Sequence, residues 1–206
     1  MARVLLVRHG ETLLNVESRY SGQRDAPLTP RGEAQQDRLR ARLAAEPIGR
    51  VVSSDIARCA ALAAAIAADH GLTAEPDPAL REASFGDWEG LTYAEAMGRD
   101  RAAMVAFNRD TVRVAPPGGE TLLALEARAR PAFDALVKAH KDREGALLLV
   151  SHGGTLRALL CSLLQIPLDR HWTLNVDPAS LSILDVYPMG PIVSVLNDTC
   201  HLNGLG

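Results

Sequence analysis

Short apolar runs alternate with longer amphipathic segments along the chain. Residues 3–7, 50–53 and 146–150 are runs with the length and continuous hydrophobicity of strands buried on both faces. Two later runs, 180–186 and 192–196, are joined by a turn-forming stretch rich in proline and glycine. This pattern predicts two further strands that pair antiparallel and complete the sheet.

Helices are predicted between these strands from capping residues and helix breakers. Thr29 and Pro30 suit the N-cap and the first helical position, and Thr92 with Glu95 has the spacing of a capping box. Ser54 is predicted to cap the helix that follows the second strand. The predicted helices cover about 30–45, 55–70, a stretch from 92, 120–141 with a kink at Pro131, and 155–164.

The alternation of strands and helices predicts the fold class. It is typical of an α/β protein with three layers, α/β/α, around a mostly parallel, doubly wound sheet with one antiparallel edge strand. We expect a single domain over residues 1–206. In sheets of this kind ligands bind at the carboxyl ends of the strands, near the point where the winding direction switches.

Composition narrows the classes of function. The chain has 206 residues, of which 47% are apolar and 23% charged, with a net charge of −3. A mixed, mildly acidic surface argues against nucleic-acid binding, and every apolar run is too short to span a membrane. The cysteines Cys59, Cys161 and Cys200 are odd in number and lack metal-binding spacing. We therefore expect a cytoplasmic protein with reduced thiols, no metal and no cofactor.

Polar residues suited to an anion follow three of the predicted strands. Arg8, His9 and Gly10 follow the first strand, and His152, Gly153 and Gly154 follow the third in the same layout. Arg58 lies just beyond the second strand. Arginine binds a phosphate bidentately, histidine is a nucleophile or base, and glycine exposes backbone N–H groups at a helix start. Each feature alone is also typical of ordinary polar strand ends, but their coincidence favours an anion site.

One carboxylate adds a candidate proton donor to this constellation. Glu82 lies in an irregular segment with Phe85, Trp88 and two glycines. A carboxyl group held against apolar neighbours can have a raised pKa and act as a general acid. The alternative is that Glu82 is an ordinary surface glutamate.

Several of these segments together resemble the histidine phosphatase superfamily, the phosphoglycerate mutase-like group. The first block is Leu-Val-Arg-His-Gly-Glu-Thr at 6–12, followed by Asn15. Further blocks in the same order are 21–35, 53–58, 82–90, 150–154 and the tail 196–202. The resemblance covers nearly the whole chain, and its tail is most similar to small members such as α-ribazole and broad-specificity phosphatases.

The resemblance implies a role for each candidate residue. His9 would be the nucleophile that becomes phosphorylated, and Glu82 would be the proton donor. The residues implied to bind the phosphate or the substrate are Arg8, Asn15, Gln23, Arg58, Glu82, His152 and Gly153. Two guanidinium groups and a histidine suit phosphoryl transfer, because its catalysis is mostly positioning and stabilisation of negative charge.

We therefore expect a metal-independent phosphomonoesterase that acts on small phosphorylated metabolites. The main alternative is a cofactor-dependent phosphoglycerate mutase, which the short segment 90–116 disfavours because it lacks a cluster of substrate-binding arginines. A metal-dependent hydrolase would need clustered ligands, and a non-catalytic phosphate-binding domain would not need His9 or Glu82. The substrate stays open among sugar phosphates, phosphoglycerates, phosphoserine and α-ribazole phosphate. The choice between a monomer and a homodimer paired through an edge strand stays open as well.

Overall fold

The computed structural model describes residues 1–205 of the chain. The strands are β1 (Ala2–Arg8), β2 (Ile48–Ser53), β3 (Ala74–Pro76), β4 (Ala146–Ser151), β5 (Leu181–Tyr187) and β6 (Gly190–Asp198). The α-helices are α1 (Leu13–Val16), α2 (Pro30–Leu43), α3 (Ala57–Asp69), α4 (Tyr93–Arg99), α5 (Arg101–Arg109), α6 (Leu122–His140) and α7 (Gly153–Leu164). Short 3₁₀ helices cover Pro78–Leu80, Gly86–Trp88, Leu168–Thr173 and Cys200–Leu202.

The six strands form one sheet in the order β3-β2-β4-β1-β5-β6. β3, β2, β4 and β1 pair in parallel, whereas β5 runs antiparallel to β1 and to β6. The mostly parallel α/β sheet expected from the sequence is confirmed. The reversed strand is β5. It lies one place in from the edge of the sheet, because the tight turn after β5 places β6 along the outer side of β5.

Helices cover both faces of the sheet. Successive side chains of a strand point to opposite faces, and β1 shows the result. Leu6 belongs to a buried cluster with Phe133 of α6, whereas Leu5 belongs to a second cluster with Leu62 of α3. Because both faces of the central strands are covered, these strands need apolar residues at every position, which accounts for their continuous hydrophobic runs.

The helix boundaries largely follow the expected capping residues. The predicted caps Thr29 and Thr92 accept hydrogen bonds from the first turns of α2 and α4. α6, predicted from about residue 120, begins at Leu122 after Thr121, which caps it without having been predicted to do so. α6 is continuous through Pro131. Within residues 1–205 no helix combines the length and the hydropathy that crossing a membrane requires.

The start of α3 differs from the prediction. α3 begins at Ala57 rather than at residue 55, and the preceding Ile56 provides no side-chain cap. The prediction that Ser54 caps this helix is therefore wrong. The hydroxyl of Ser54 is buried. It accepts a hydrogen bond from the backbone N–H of Ile56 over 3.3 Å, ahead of the helix, and it also lies 2.8 Å from Nε2 of His152.

Three short elements were not predicted from the sequence. They are α1, α5 and β3, of four, nine and three residues. β3 ends at Pro76, and proline is tolerated there because β3 is an edge strand. α5 begins after Asp100, whose carboxylate accepts a hydrogen bond from the backbone N–H of Ala103.

Candidate active site

The carboxyl ends of β1 and β4 lie side by side at one edge of the sheet. Arg8 of β1 is in register with Ser151 of β4, so the residues that follow, His9 and His152, leave the sheet next to each other. Their imidazole centroids are 5.2 Å apart, with the rings at 65°. Because β1 and β4 run in the same direction, His9 and His152 are predicted to lie close together. The structure brings the two histidines together.

Hydrogen bonds fix the tautomer of His9, which is 4% exposed. Nδ1 lies 2.7 Å from the carbonyl oxygen of Gly10. A carbonyl oxygen only accepts, so Nδ1 carries the proton. Nε2 accepts a hydrogen bond of 3.2 Å from Nε of Arg58. The lone pair that can attack an electrophile is therefore on Nε2, beside a guanidinium group.

Burial sets the protonation state of both histidines. Desolvation, followed by the guanidinium groups of Arg58 and Arg8, holds the pKa of His9 well below its ordinary value of 6.5. Desolvation, followed by the neighbouring His9 and the same guanidinium groups, holds the pKa of His152 well below 6.5 as well. Both rings are neutral at pH 7 in the free protein, as attack by a ring nitrogen requires.

Arg58 lies in the first turn of α3 and is 5% exposed. Its Nη1 donates to the carbonyl oxygen of Arg24 over 2.8 Å, and its Nη2 donates to that of Gly22 over 2.7 Å. With Nε bound to His9, three of its five N–H groups hold the side chain in place. One N–H on each of Nη1 and Nη2 remains for an anion.

Arg8 supplies a second guanidinium group at the same edge. Its Nη1 donates to the carbonyl oxygen of Val176 over 2.7 Å. Its Nε is buried and has no hydrogen-bond partner within residues 1–205. Gly153 lets this guanidinium lie close to the start of α7, because a Cβ there would stand 3.3 Å from its Cζ, Nε and Nη1. A buried cationic donor without a partner is costly, so its geometry is suited to an incoming oxyanion.

His152 is fully buried and is held by residues of the second strand end. Its Nε2 lies 2.8 Å from the hydroxyl oxygen of Ser54, and the Cys59 sulfur lies 3.5 Å from the same nitrogen. Burial raises the pKa of the Cys59 thiol, so Cys59 is a small buried residue and not a reactive thiolate. Sequence reasoning missed the role of Ser54 because a serine after a strand resembles a helix cap.

Glu82 lies against the N-terminus of α7. Its Oε2 accepts from the backbone N–H of Gly154 over 2.9 Å, and its Oε1 accepts from that of Thr155 over 3.1 Å. Oε1 also accepts from the N–H of Ala83 and lies 3.3 Å from the Thr155 hydroxyl. A Cβ at Gly154 would overlap this carboxylate, so the glycine permits the contact. Oε2 has fewer donors around it and keeps a free lone pair for a proton.

Arg128 of α6, which the sequence pattern does not single out, holds the segment that carries Glu82. Its guanidinium donates to the backbone carbonyl oxygens of Ala79, Arg81 and Glu82 over 2.8–2.9 Å. It also pairs with both carboxylate oxygens of Glu120 over 2.8 Å. Arg128 thus fixes the position of Glu82 through its backbone. Nothing in the sequence distinguishes it from an arginine on the solvent face of a helix.

Asn15 and Gln23 lie beside the reacting groups at the carboxyl ends of β1 and β4. Oδ1 of Asn15 accepts from the backbone N–H and the hydroxyl of Thr12, each over 3.0 Å, which leaves its amide N–H groups for another acceptor. Nε2 of Gln23 donates to the carbonyl oxygen of Glu82 over 3.2 Å. Asn15 borders the larger cavity of the site and Gln23 borders a smaller recess. Their contact with a phosphate stays a prediction.

The site at the carboxyl ends of β1 and β4 opens into a cavity of ≈ 500 Å³. Arg8, Asn15, Glu82 and Gly154 contribute to its wall, while His9 is buried behind it. In the part of the chain that the structure describes, no three His, Cys, Asp or Glu side chains are grouped so that they could hold a metal ion. The arrangement is that of a neutral nucleophilic nitrogen, two guanidinium groups and a carboxylate around the position of one small anion.

The two neutral histidines make the stability depend on pH. Their pKa is lower in the folded than in the unfolded chain. The stabilisation is therefore fully present above pH 6.5 and is lost as the pH falls from there towards the lower folded-state pKa. Each histidine contributes a loss of about 1.4 kcal/mol in the free energy of unfolding per pH unit. We expect urea titrations between pH 7.5 and 5.5 to show this loss.

Two variants test whether this loss of stability at lower pH comes from the histidines. His9→Gln removes one of these groups, so its pH slope should be smaller than that of the wild type by the share of one histidine, while His171 and His201, whose pKa burial also lowers, keep their contributions. Asn15→Ala removes no titrating group and should keep the full slope. A wild-type slope in His9→Gln would contradict the neutral state of His9 in the folded protein.

The chain is similar to known proteins along most of its length. Residues 4–199 match the histidine phosphatase superfamily (branch 1). The glucosyl-3-phosphoglycerate phosphatase of Mycobacterium tuberculosis is 37% identical, covering 80% of this chain and 76% of its own. A protein of Yersinia pestis named Probable phosphoglycerate mutase GpmB is 34% identical, covering 98% and 96%. The crystal structure of the α-ribazole phosphatase from Shigella flexneri superposes with a TM-score of 0.88 at 32% identity, covering 95% and 96%.

Proposed function

The chain belongs to the histidine phosphatase superfamily, branch 1, and on that premise we propose that its site hydrolyses phosphomonoesters of small metabolites through a phosphohistidine on His9. Phosphomonoester hydrolysis is also the activity named for its phosphatase relatives. The observation that carries the residue assignment is the neutral His9, whose Nε2 lone pair faces Arg58.

In the first step Nε2 of His9 gives up the hydrogen bond from Nε of Arg58, and the freed lone pair attacks the phosphorus atom. A bond forms between Nε2 and phosphorus, and the bond between phosphorus and the ester oxygen breaks. Glu82 gives its proton to that oxygen, so the leaving group departs as a neutral alcohol and Glu82 becomes a carboxylate. The free N–H groups of Arg8 and Arg58 stabilise the negative charge on the transferring oxygens.

In the second step water removes the phosphoryl group from His9. The water oxygen bonds to phosphorus as the bond to Nε2 breaks, and the water proton passes to Glu82. This restores the lone pair on Nε2 and the protonated Glu82, and inorganic phosphate leaves. All protons are exchanged among the ester, water and Glu82, so the cycle draws on no metal and no cofactor.

The other candidate residues support these two steps in the proposal. His152 is neutral and provides a ring N–H to the phosphate, oriented by the contact with Ser54. Asn15 and Gln23 donate from their amide groups at the rim. Gly153 opens the approach of Arg8 to the start of α7, where backbone N–H groups favour an anion.

The proposal also covers the cellular compartment and the partners of the protein. We place the protein in the cytoplasm, which the three free cysteines support. Small phosphorylated metabolites are its partners, and the mildly acidic charge disfavours nucleic acid. The homodimer paired through an edge strand stays a prediction beside the monomer, and the single domain over the whole chain stays one too.

A cofactor-dependent phosphoglycerate mutase is the second candidate. The likeness to the Yersinia protein named for that activity favours it. A mutase shares the phosphohistidine but returns the phosphoryl group to the substrate instead of to water. The distinction lies in whether water or a second hydroxyl group reaches the phosphohistidine.

Phosphate release from a panel of phosphomonoesters in the presence of EDTA tests the proposal. The panel contains glucosyl-3-phosphoglycerate, α-ribazole phosphate, phosphoserine and p-nitrophenyl phosphate, with 3-phosphoglycerate plus 2,3-bisphosphoglycerate run alongside. We expect free phosphate from at least one ester at an unchanged rate with EDTA. Formation of 2-phosphoglycerate with little free phosphate would replace the phosphatase by the mutase. Loss of all turnover with EDTA would contradict the metal-independent mechanism.

A further inference from the structure

The cavity beside the reacting groups is much larger than a phosphate. It encloses ≈ 500 Å³, and five aromatic side chains line it: Tyr20, Phe85, Tyr93, Phe107 and Trp172. Such walls pack against the carbon skeleton of an organic group rather than against the phosphoryl oxygens. The cavity therefore has room for the leaving group of the ester.

Two of the charged side chains that line this cavity already have partners. Arg19 pairs with Glu17 and Glu95, and Glu120 pairs with Arg128. The charges of Arg19 and Glu120 are therefore already countered within the protein. Selectivity for a charged leaving group must come from another side chain.

Arg157 of α7 lines the cavity and has no carboxylate partner within residues 1–205. Its Nε donates to the carbonyl oxygen of Leu174 over 2.8 Å, and its guanidinium lies over the ring of Trp172 at 5.4 Å from the centroid. These contacts fix the plane of the guanidinium. Its Nη1 and Nη2 groups make no hydrogen bond in the described part of the chain.

The position of Arg157 relative to the phosphate site is set by α7. It lies three residues after Gly154, so the two share one face of the helix about one turn apart. It is also close to Arg8, since its charge is one of those that lower the pKa of Arg8, after the larger effect of burial. A ligand that spans from the phosphate to Arg157 is thus a small metabolite rather than a polymer.

We infer that Arg157 selects phosphomonoesters whose leaving group carries a carboxylate. The free fork of Nη1 and Nη2 matches the two oxygens of a carboxylate, and the aromatic walls hold the carbon atoms between the two anions. A single guanidinium matches one negative charge, which favours a carboxylate over the two charges of a second phosphate. This inference rests on the proposed function, because it assigns the substrate class of the same site.

Two pairs of esters test the inference, and in each pair one member carries a carboxylate that the other lacks. One pair is 3-phosphoglycerate and glycerol 3-phosphate, and the other is 4-carboxyphenyl and 4-carbamoylphenyl phosphate. We expect kcat/KM to favour the carboxylate member of at least one pair by about 10- to 100-fold, as expected for charge-assisted hydrogen bonds. In Arg157→Gln the ratio within that pair should fall to near 1, with a larger change in KM than in kcat. Arg157→Lys should restore part of the preference, because it returns the charge without the fork.

A matched control uses Arg170, which is exposed in the 3₁₀ helix that carries Trp172 and does not line the cavity. Arg170→Gln should keep the wild-type ratio. Equal kcat/KM within both pairs of the wild-type enzyme, or an unchanged ratio in Arg157→Gln, would overturn the inference. A preference for 1,4-phenylene bisphosphate that depends on Arg157 would overturn it in favour of a second phosphate. Failure to hydrolyse any ester would instead contradict the proposed function.

Discussion

Replacing His9 with alanine is expected to lower phosphate release by about 10⁴-fold or more, because the variant lacks the nitrogen that attacks phosphorus. The fold should survive. His9 lies among polar groups at the strand ends and belongs to neither of the two main hydrophobic clusters. We expect the free energy of unfolding at pH 7.5 to fall by about 1–3 kcal/mol, because Nε of Arg58 loses its buried acceptor.

The phosphohistidine itself can be trapped by rapid acid-free quenching with a ³²P-labelled ester. The wild-type enzyme should carry a label that is stable to base and labile to acid, and mass spectrometry should place it on His9. His70→Ala is the matched control, because His70 lies at the far end of α3 from Arg58, and it should label normally. A label on His152, or full turnover by His9→Ala, would refute the assignment of the nucleophile.

The second large effect is expected from Glu82→Gln, and it should depend on the leaving group. Alkyl phosphates need a proton on the departing oxygen, so their kcat/KM should fall by about 10²- to 10⁴-fold. The kcat/KM of p-nitrophenyl phosphate should fall by less than about tenfold, because p-nitrophenolate leaves without a proton. kcat/KM is the appropriate quantity because it reports the steps up to release of the first product, before water attacks the phosphohistidine.

The p-nitrophenyl ester serves as an internal control for the structure of the site. An amide at position 82 places an NH₂ group near the N–H of Gly154 or Thr155, where Glu82 now accepts hydrogen bonds. A general disturbance of α7 would therefore lower both classes of ester equally. Equal losses would count against Glu82 as the proton donor, as would unchanged hydrolysis of alkyl phosphates.

The sequence predicts the reacting edge of the sheet well, for a physical reason. Strands buried on both faces must be apolar throughout, so the polar residues that follow them stand out, as they do at Arg8, His9 and His152. Parallel strands also end at the same edge, so residues more than a hundred positions apart are predicted to meet. The register of Arg8 with Ser151 gives the structural basis of that prediction.

Residues that act through tertiary contacts could not be predicted in the same way. Arg128 binds three carbonyl oxygens of another segment, and the helical pattern around it would be the same if it faced solvent. The hydroxyl of Ser54 contacts both the local N–H of Ile56 and the distant ring of His152, and only the packed structure shows the second contact. The cavity wall depends on how α4 and α5 fold over the site, which single-residue patterns do not encode.

The two sides of the cavity differ in how firmly they are held. The phosphate side is built from sheet ends, and its Arg58 is fixed by backbone carbonyl oxygens. The opposite side includes partly exposed residues of α4 and of the 3₁₀ helix Leu168–Thr173, such as Tyr93 and Trp172, exposed by 48% and 67%. Libraries randomised at these outer positions would therefore sample new substrates while the phosphoryl chemistry stays intact. The chain is thus a natural scaffold for directed evolution of phosphatases with chosen leaving groups.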